Sequence, residues 1–104
     1  MNDTLVVPFA ETWRGKIVSR EEGPNGGYDY EVVRLRTRGG EGPLSGCRFV
    51  FNSSRKIATG KRVFLKVPAR KLRMRRGADF ELRVDGRREP IKLKGGSRTY
   101  LYPN

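Results

Sequence analysis

Short runs in which every second residue is apolar dominate this chain, and a period of two is the signature of a strand with one buried face. In the run Trp13–Ser19, Trp13, Gly15 and Ile17 fall on one side, and Arg14, Lys16 and Val18 on the other. The segment Glu21-Glu22-Gly23-Pro24-Asn25-Gly26-Gly27 is dense in turn formers and joins this strand to Tyr28–Thr37 as a hairpin. Tyr28, Tyr30 and Val32 share a face of the second strand. Val33 and Leu35 then take the opposite phase and leave Arg34, Arg36 and Arg38 in a row. That phase slip predicts a β-bulge near Val32-Val33, which would bend the strand as a barrel requires.

The glycine-rich loop Arg38–Gly46 leads to a third strand, Cys47–Asn52, with Phe49 and Phe51 on one face. Ser53–Gly60 is polar, with room for one helical turn over Arg55–Thr59. Lys61–Val67 is the clearest strand: Val63, Leu65 and Val67 point inward and Arg62, Phe64 and Lys66 outward, until Pro68 ends it. Pro68–Gly77 reads as a strand with Leu72 and Met74 inward and Lys71, Arg73 and Arg75 outward, because its apolar content is too sparse to anchor a helix. Asp79–Val84, an Asp85-Gly86 turn and Arg87–Lys94 form a second hairpin, with Phe80, Leu82 and Val84 facing Ile91 and Leu93. Pro90 gives the return strand an edge position, since proline has no N–H for the ladder. Gly95-Gly96 is a further turn, and Thr99–Tyr102 is a short last strand that would close the sheet.

The pattern therefore predicts one all-β domain over residues 1–104, a small barrel or sandwich of about six or seven short strands with little helix. Thirteen glycines and six prolines leave little room for a long helix, and 36% hydrophobic residues make the core thin. The early strand Gly15-Lys16-Ile17-Val18, the turn-linked hairpin after it and the later strand opening Gly60-Lys61-Arg62-Val63 resemble the layout of an OB-fold or an SH3-like barrel. That resemblance implies a small β-barrel and no particular function, because such barrels host many.

Charge changes the picture most. Residues 1–53 hold seven Lys/Arg and seven Asp/Glu, so the net charge of +12 arises wholly in residues 54–104, which hold sixteen and four. Residues 42–78 contain no acid at all, and ten cations fall between Arg55 and Arg76. Arg outnumbers Lys sixteen to seven. The guanidinium fork suits phosphate oxygens, although a composition rich in arginine codons gives the same excess. A field this one-sided repels itself unless a polyanion meets it.

The cations lie in alternating rows: Arg34, Arg36 and Arg38; Lys71, Arg73 and Arg75; Arg62 and Lys66; Lys92 and Lys94. Residues at i and i+2 on a strand lie about 6.5–7 Å apart, close to the spacing of phosphates along a nucleic-acid strand. One such row is an ordinary solvated face; four in an acid-poor region point to anion binding. The expected interface comprises Arg62, Phe64, Lys66, Arg70, Lys71, Arg73, Arg75 and Arg76, with Arg34 and Arg36 contributing less because the acids of the first half surround them. Phe64, between Arg62 and Lys66, is either a stacking platform for a base or a buried core residue. Phe49 and Phe51 are expected in the core, and Trp13, Tyr28 and Tyr30 either there or lining an exposed sheet.

Catalysis finds little support. The chain has no His and one Cys, so the common nucleophile–base pairs and most metal sites have no members. Cys47 reads as a small buried residue, and the pairs Asp29/Glu31 and Asp79/Glu81 read as partners for nearby arginines. An Arg/Glu ribonuclease is chemically allowed, but no spacing singles it out. Gly39-Gly40-Glu41-Gly42 and Gly95-Gly96 lack the Lys-Ser/Thr of a phosphate-binding loop and read as turns. The expectation is a protein that is not an enzyme and uses no cofactor or metal. Its partner is DNA, RNA or another polyanion, or else an acidic protein surface on which it docks as an adaptor or inhibitor. One cysteine, no positively charged start before an apolar run, and no apolar run approaching about 18–20 residues predict a cytoplasmic protein with no membrane partner.

Overall fold

In the computed structural model, residues 4–23, 26–86, 91–93 and 98–103 are described. Among them the chain forms ten strands and no helix: β1 (Thr4–Val7), β2 (Glu11–Glu22), β3 (Tyr28–Arg36), β4 (Arg48–Ser53), β5 (Arg62–Val67), β6 (Arg70–Arg73), β7 (Gly77–Asp79), β8 (Glu81–Val84), β9 (Ile91–Lys92) and β10 (Arg98–Tyr102). No helix among the described residues is long and apolar enough to cross a membrane. Eight strands make one antiparallel sheet in the order β7-β10-β4-β3-β2-β5-β8-β9, and β1 pairs with β6 in a separate ribbon. β7 and β8 lie towards opposite ends of the large sheet yet are joined by Phe80 alone. The sheet must therefore curl, and it forms a half-barrel.

Alternation fixes which face turns inward. Trp13, Gly15 and Ile17 of β2 are buried, as are Val63, Leu65 and Val67 of β5, while Arg14, Lys16, Arg62 and Lys66 are exposed. Tyr30, Val32 and Leu35 of β3, Phe49 and Phe51 of β4, and Leu82 and Val84 of β8 complete one hydrophobic cluster with Leu72, Leu101 and the loop residues Leu44 and Ile57. Each fully buried large side chain contributes about 1.5–3 kcal/mol. A slip of one residue would turn the whole set to solvent, so the inner face, not the cations, holds the register.

The predicted bulge is present, one residue beyond Val33. Arg14 pairs with Arg36 and Lys16 with Val33, so β3 carries one residue more than β2 between these pairs. The extra residue falls at Arg34, whose φ of 62° is in the left-handed region. A compensating shift follows between Ile17 and Ser19, where Val18 is the extra residue on β2 and is exposed. Left-handed backbone at a non-glycine costs about 1–2 kcal/mol; here it turns Arg34 outward while Leu35 returns to the core.

Three further expectations meet a different outcome. The helical turn over Arg55–Thr59 does not form. The buried Tyr30 hydroxyl donates to the Arg55 carbonyl at 2.6 Å and accepts from the Ile57 N–H at 2.8 Å, and Arg20 Nη1 donates to the Ile57 carbonyl at 2.9 Å. These bonds take the backbone groups that a helical turn would use. The strand over Asp79–Val84 divides at Phe80, which is half-buried at the corner between β7 and β8. β10 pairs with β4 and β7, and so extends the sheet. The strand count exceeds six or seven because β1 is too short to show a period and β7 separates from β8 at Phe80. β9 is the sheet's edge, as expected for the return strand. Pro90, Lys94, Gly95-Gly96 and the turn residues Pro24 and Asn25 lie outside the described residues.

Candidate nucleic-acid interface

On the outer face of the half-barrel, register aligns side chains from five strands. Arg36 stands opposite Arg14, Arg14 opposite Phe64, Phe64 opposite Arg83, and Arg83 opposite Lys92. At about 4.8 Å between strands, this row crosses roughly 19 Å of surface at right angles to the chain direction. The four cations are exposed and Phe64 is half-buried. Beside this row Lys16 stands opposite Arg62.

The two rows border an open groove of about 690 Å³, lined by Arg14, Lys16, Arg34, Arg36, Lys61 and Arg62, with Asp85 as its one acid. Gly15 contributes backbone to the lining, and on its inner side β2 and β3 lie too close for a side chain. A Cβ at this position would lie 2.7 Å from Val32 Cγ1 and 2.9 Å from the Val33 carbonyl oxygen. Lys61 is held by a backbone clasp in which the Gly60 N–H donates to the Ile17 carbonyl at 2.8 Å and the Ile17 N–H to the Lys61 carbonyl at 3.0 Å. Gly60 makes this turn with a φ of 89°, a conformation that favours glycine.

Charge in the groove is largely uncompensated. Arg62 Nε pairs with Asp85 Oδ2 at 3.3 Å. Among the described residues, Arg14, Lys16, Arg34, Arg36 and Lys61 have no carboxylate within ion-pair distance. Beyond Arg14 the groove meets a depression of about 250 Å³ lined by Thr12, Phe64, Lys66, Glu81 and Arg83. Glu81 pairs with Arg83 at 3.0 Å and with Lys66 at 3.9 Å. The hydrogen bond from Arg83 first, and the Lys66 charge second, hold its carboxyl below the usual carboxylate range.

The residues expected from sequence divide into three groups. Arg34, Arg36 and Arg62 meet in the groove, and Phe64 and Lys66 lie in the adjoining depression. Arg70, Lys71 and Arg73 are on β6 in the separate ribbon, and Arg75 and Arg76 follow it in a turn. The Arg75 N–H donates to the Leu101 carbonyl at 2.7 Å, which ties that turn to β10. The sequence-derived set omitted Arg14, Lys16, Lys61 and Arg83. Arg14 and Lys16 stand on the polar face of β2, but the neutral total of residues 1–53 hid them. Pairing the two strands of the first hairpin face to face would have exposed them.

Chemistry beyond charge is sparse. Among the described residues no three His, Cys, Asp or Glu side chains group to hold a metal ion. Cys47 is buried, and burial raises its thiol pKa, which favours the unreactive thiol over the thiolate. Comparison of the chain with protein-family models, with curated proteins and with solved structures returns no match.

Proposed function

We propose that this protein is a non-catalytic nucleic-acid-binding β-barrel that grips the sugar–phosphate backbone in the groove across β3, β2 and β5. The observation that carries this reading is the set of five cations, Arg14, Lys16, Arg34, Arg36 and Lys61, gathered in one groove without a carboxylate partner among the described residues. Charges held this close repel one another, and an anionic ligand with repeated charge relieves that repulsion at several points at once. Backbone contacts of this kind give affinity and register with no base preference of their own. The single unpaired cysteine suits a reducing compartment such as the cytoplasm.

Fluorescence anisotropy of the nuclease-treated protein with labelled oligonucleotides, titrated with salt, tests the reading. Five phosphate contacts predict a log–log slope near about −3.5 on a single strand or −4.5 on a duplex. A flat salt dependence with micromolar or weaker binding to every form would reject it and turn attention to an acidic protein surface as the ligand.

A further inference from the structure

We infer that the ligand is single-stranded, with its backbone in the groove and one unpaired base laid on Phe64; this rests on the backbone-binding reading above. Three features of Phe64 carry it.

The first is position. Phe64 stands between Arg14 and Arg83 in the row that crosses the sheet, so a backbone held by Arg36 and Arg14 passes directly beside it. The next is an open ring face. Two half-buried tyrosines elsewhere carry a guanidinium over the ring: Arg20 lies 5.7 Å from the Tyr28 ring centroid and Arg48 lies 4.7 Å from that of Tyr102. No described cation takes that position over Phe64, although Arg14 and Arg83 are its direct neighbours. Depth is the third. Phe64 is half-buried and lines a depression of about 250 Å³. A recessed ring cannot wedge between stacked base pairs, but a base already free of its partner can descend onto it.

A duplex satisfies only half of this surface, because its phosphates reach the groove while its base faces stay stacked inside. A single strand satisfies both halves, with phosphates on guanidinium and ammonium groups and a base on the ring.

The experiment compares three ligands with equal numbers of phosphates at one salt concentration: oligodeoxythymidylate, an abasic oligodeoxynucleotide and a duplex. The expected order places oligodeoxythymidylate roughly five- to a hundred-fold tighter than the abasic strand, the range of one stacked base. Phe64→Leu should remove that advantage and leave abasic and duplex binding unchanged. Phe64→Trp should keep it, with the introduced tryptophan quenched by oligodeoxythymidylate and not by the abasic strand, measured against the buried Trp13 of the wild type. Because Phe64→Trp retains the ring, it decides the matter even where Phe64→Leu melts early. Equal affinity for the thymidylate and abasic strands, or an unquenched tryptophan, overturns the single-strand inference while phosphate binding stands. Absence of binding to all three ligands at low salt overturns both.

Discussion

Arg14 and Phe64 are direct cross-strand partners on the outer face of β2 and β5. Strand pairing thus sets an exposed guanidinium beside a half-buried aromatic ring of that face. It also joins the basic groove to the depression around Phe64. The contact is fixed by core register: Trp13 pairs with Leu65, and both side chains are fully buried.

Charge reversal separates the groove from the arginine-rich ribbon. Arg14→Glu with Arg36→Glu should weaken oligonucleotide binding at least about tenfold more than Lys71→Glu with Arg73→Glu. It should also make the log–log salt slope shallower by about 1.5–2, the value of two lost phosphate contacts. All four residues are exposed, so the melting temperatures should hardly move. Equal losses from the two pairs would mean diffuse attraction to the whole basic surface.

On the proposed reading, Glu81 should oppose binding. It occupies Lys66 and Arg83 on either side of the Phe64 depression. Glu81→Gln should therefore tighten oligonucleotide binding and steepen its salt slope, with a small effect on stability because the ion pairs are exposed. Arg83 and then Lys66 lower the Glu81 pKa. Its ion pairs therefore stabilise the fold above the ordinary carboxylate pKa and stop doing so as pH falls through the lowered value. Wild-type affinity should stay level across neutral and mildly acidic pH and rise only below the usual carboxylate range, and the Glu81→Gln protein should lack that rise. Anisotropy titrations over a pH series read both effects.

The inner face was legible in the sequence, and the candidate groove only in part, through Arg34, Arg36 and Arg62. Trp13, Ile17, Val63, Leu65 and Val67 declare themselves by period two, because burial acts on each residue in turn and leaves a local record. The groove depends on which strands become neighbours. Arg14 and Arg62 are distant in sequence, and nothing local says that β5 pairs with β2 rather than with β4. The arginine cluster after Pro68 was the loudest signal in the composition, yet β6 pairs with β1, outside the large sheet. The bulge was visible as a phase slip, but its position at Arg34 was not. Left-handed backbone at an arginine is a local cost that only the tertiary fold supports.

Gly15 tests how tightly the groove floor is built. Gly15→Ala would put a methyl group 2.7 Å from Val32 Cγ1, 2.9 Å from Leu35 Cδ2 and 2.9 Å from the Val33 carbonyl oxygen. Val32 and Leu35 are fully packed, and the carbonyl belongs to the backbone of β3, so none of the three can give way freely. Overpacking of this kind costs about 1–3 kcal/mol. At about 4–8 °C per kcal/mol for a small domain, the melting temperature should fall by several degrees. An unchanged melt would mean that β2 and β3 separate at low cost and that the floor is not rigid.

Tyr30 links the core to the groove wall, and Tyr30→Phe isolates that link. The ring itself should stay in place, since it stacks on Phe51 with centroids 5.0 Å apart and the substitution keeps that face. Only the hydroxyl is lost, and with it the bonds to the Arg55 carbonyl and the Ile57 N–H. A buried backbone group left without its partner costs about 1–3 kcal/mol, so the melting temperature should drop. Amide exchange at Ile57 should accelerate while exchange in β5 keeps its place relative to global stability. Lys61 ends the same loop, so oligonucleotide affinity should fall as well, by less than in the Arg14/Arg36 double variant. Burial raises the Tyr30 pKa above its ordinary 10.0, against the opposing effect of the Ile57 hydrogen bond. The contribution of the hydroxyl is therefore complete below that ordinary value and is lost as pH rises through the raised one. The stability gap between wild type and Tyr30→Phe should be constant through neutral pH and narrow only in strong alkali. A gap that widens or narrows near neutrality would show that another group, not the phenol, is being measured.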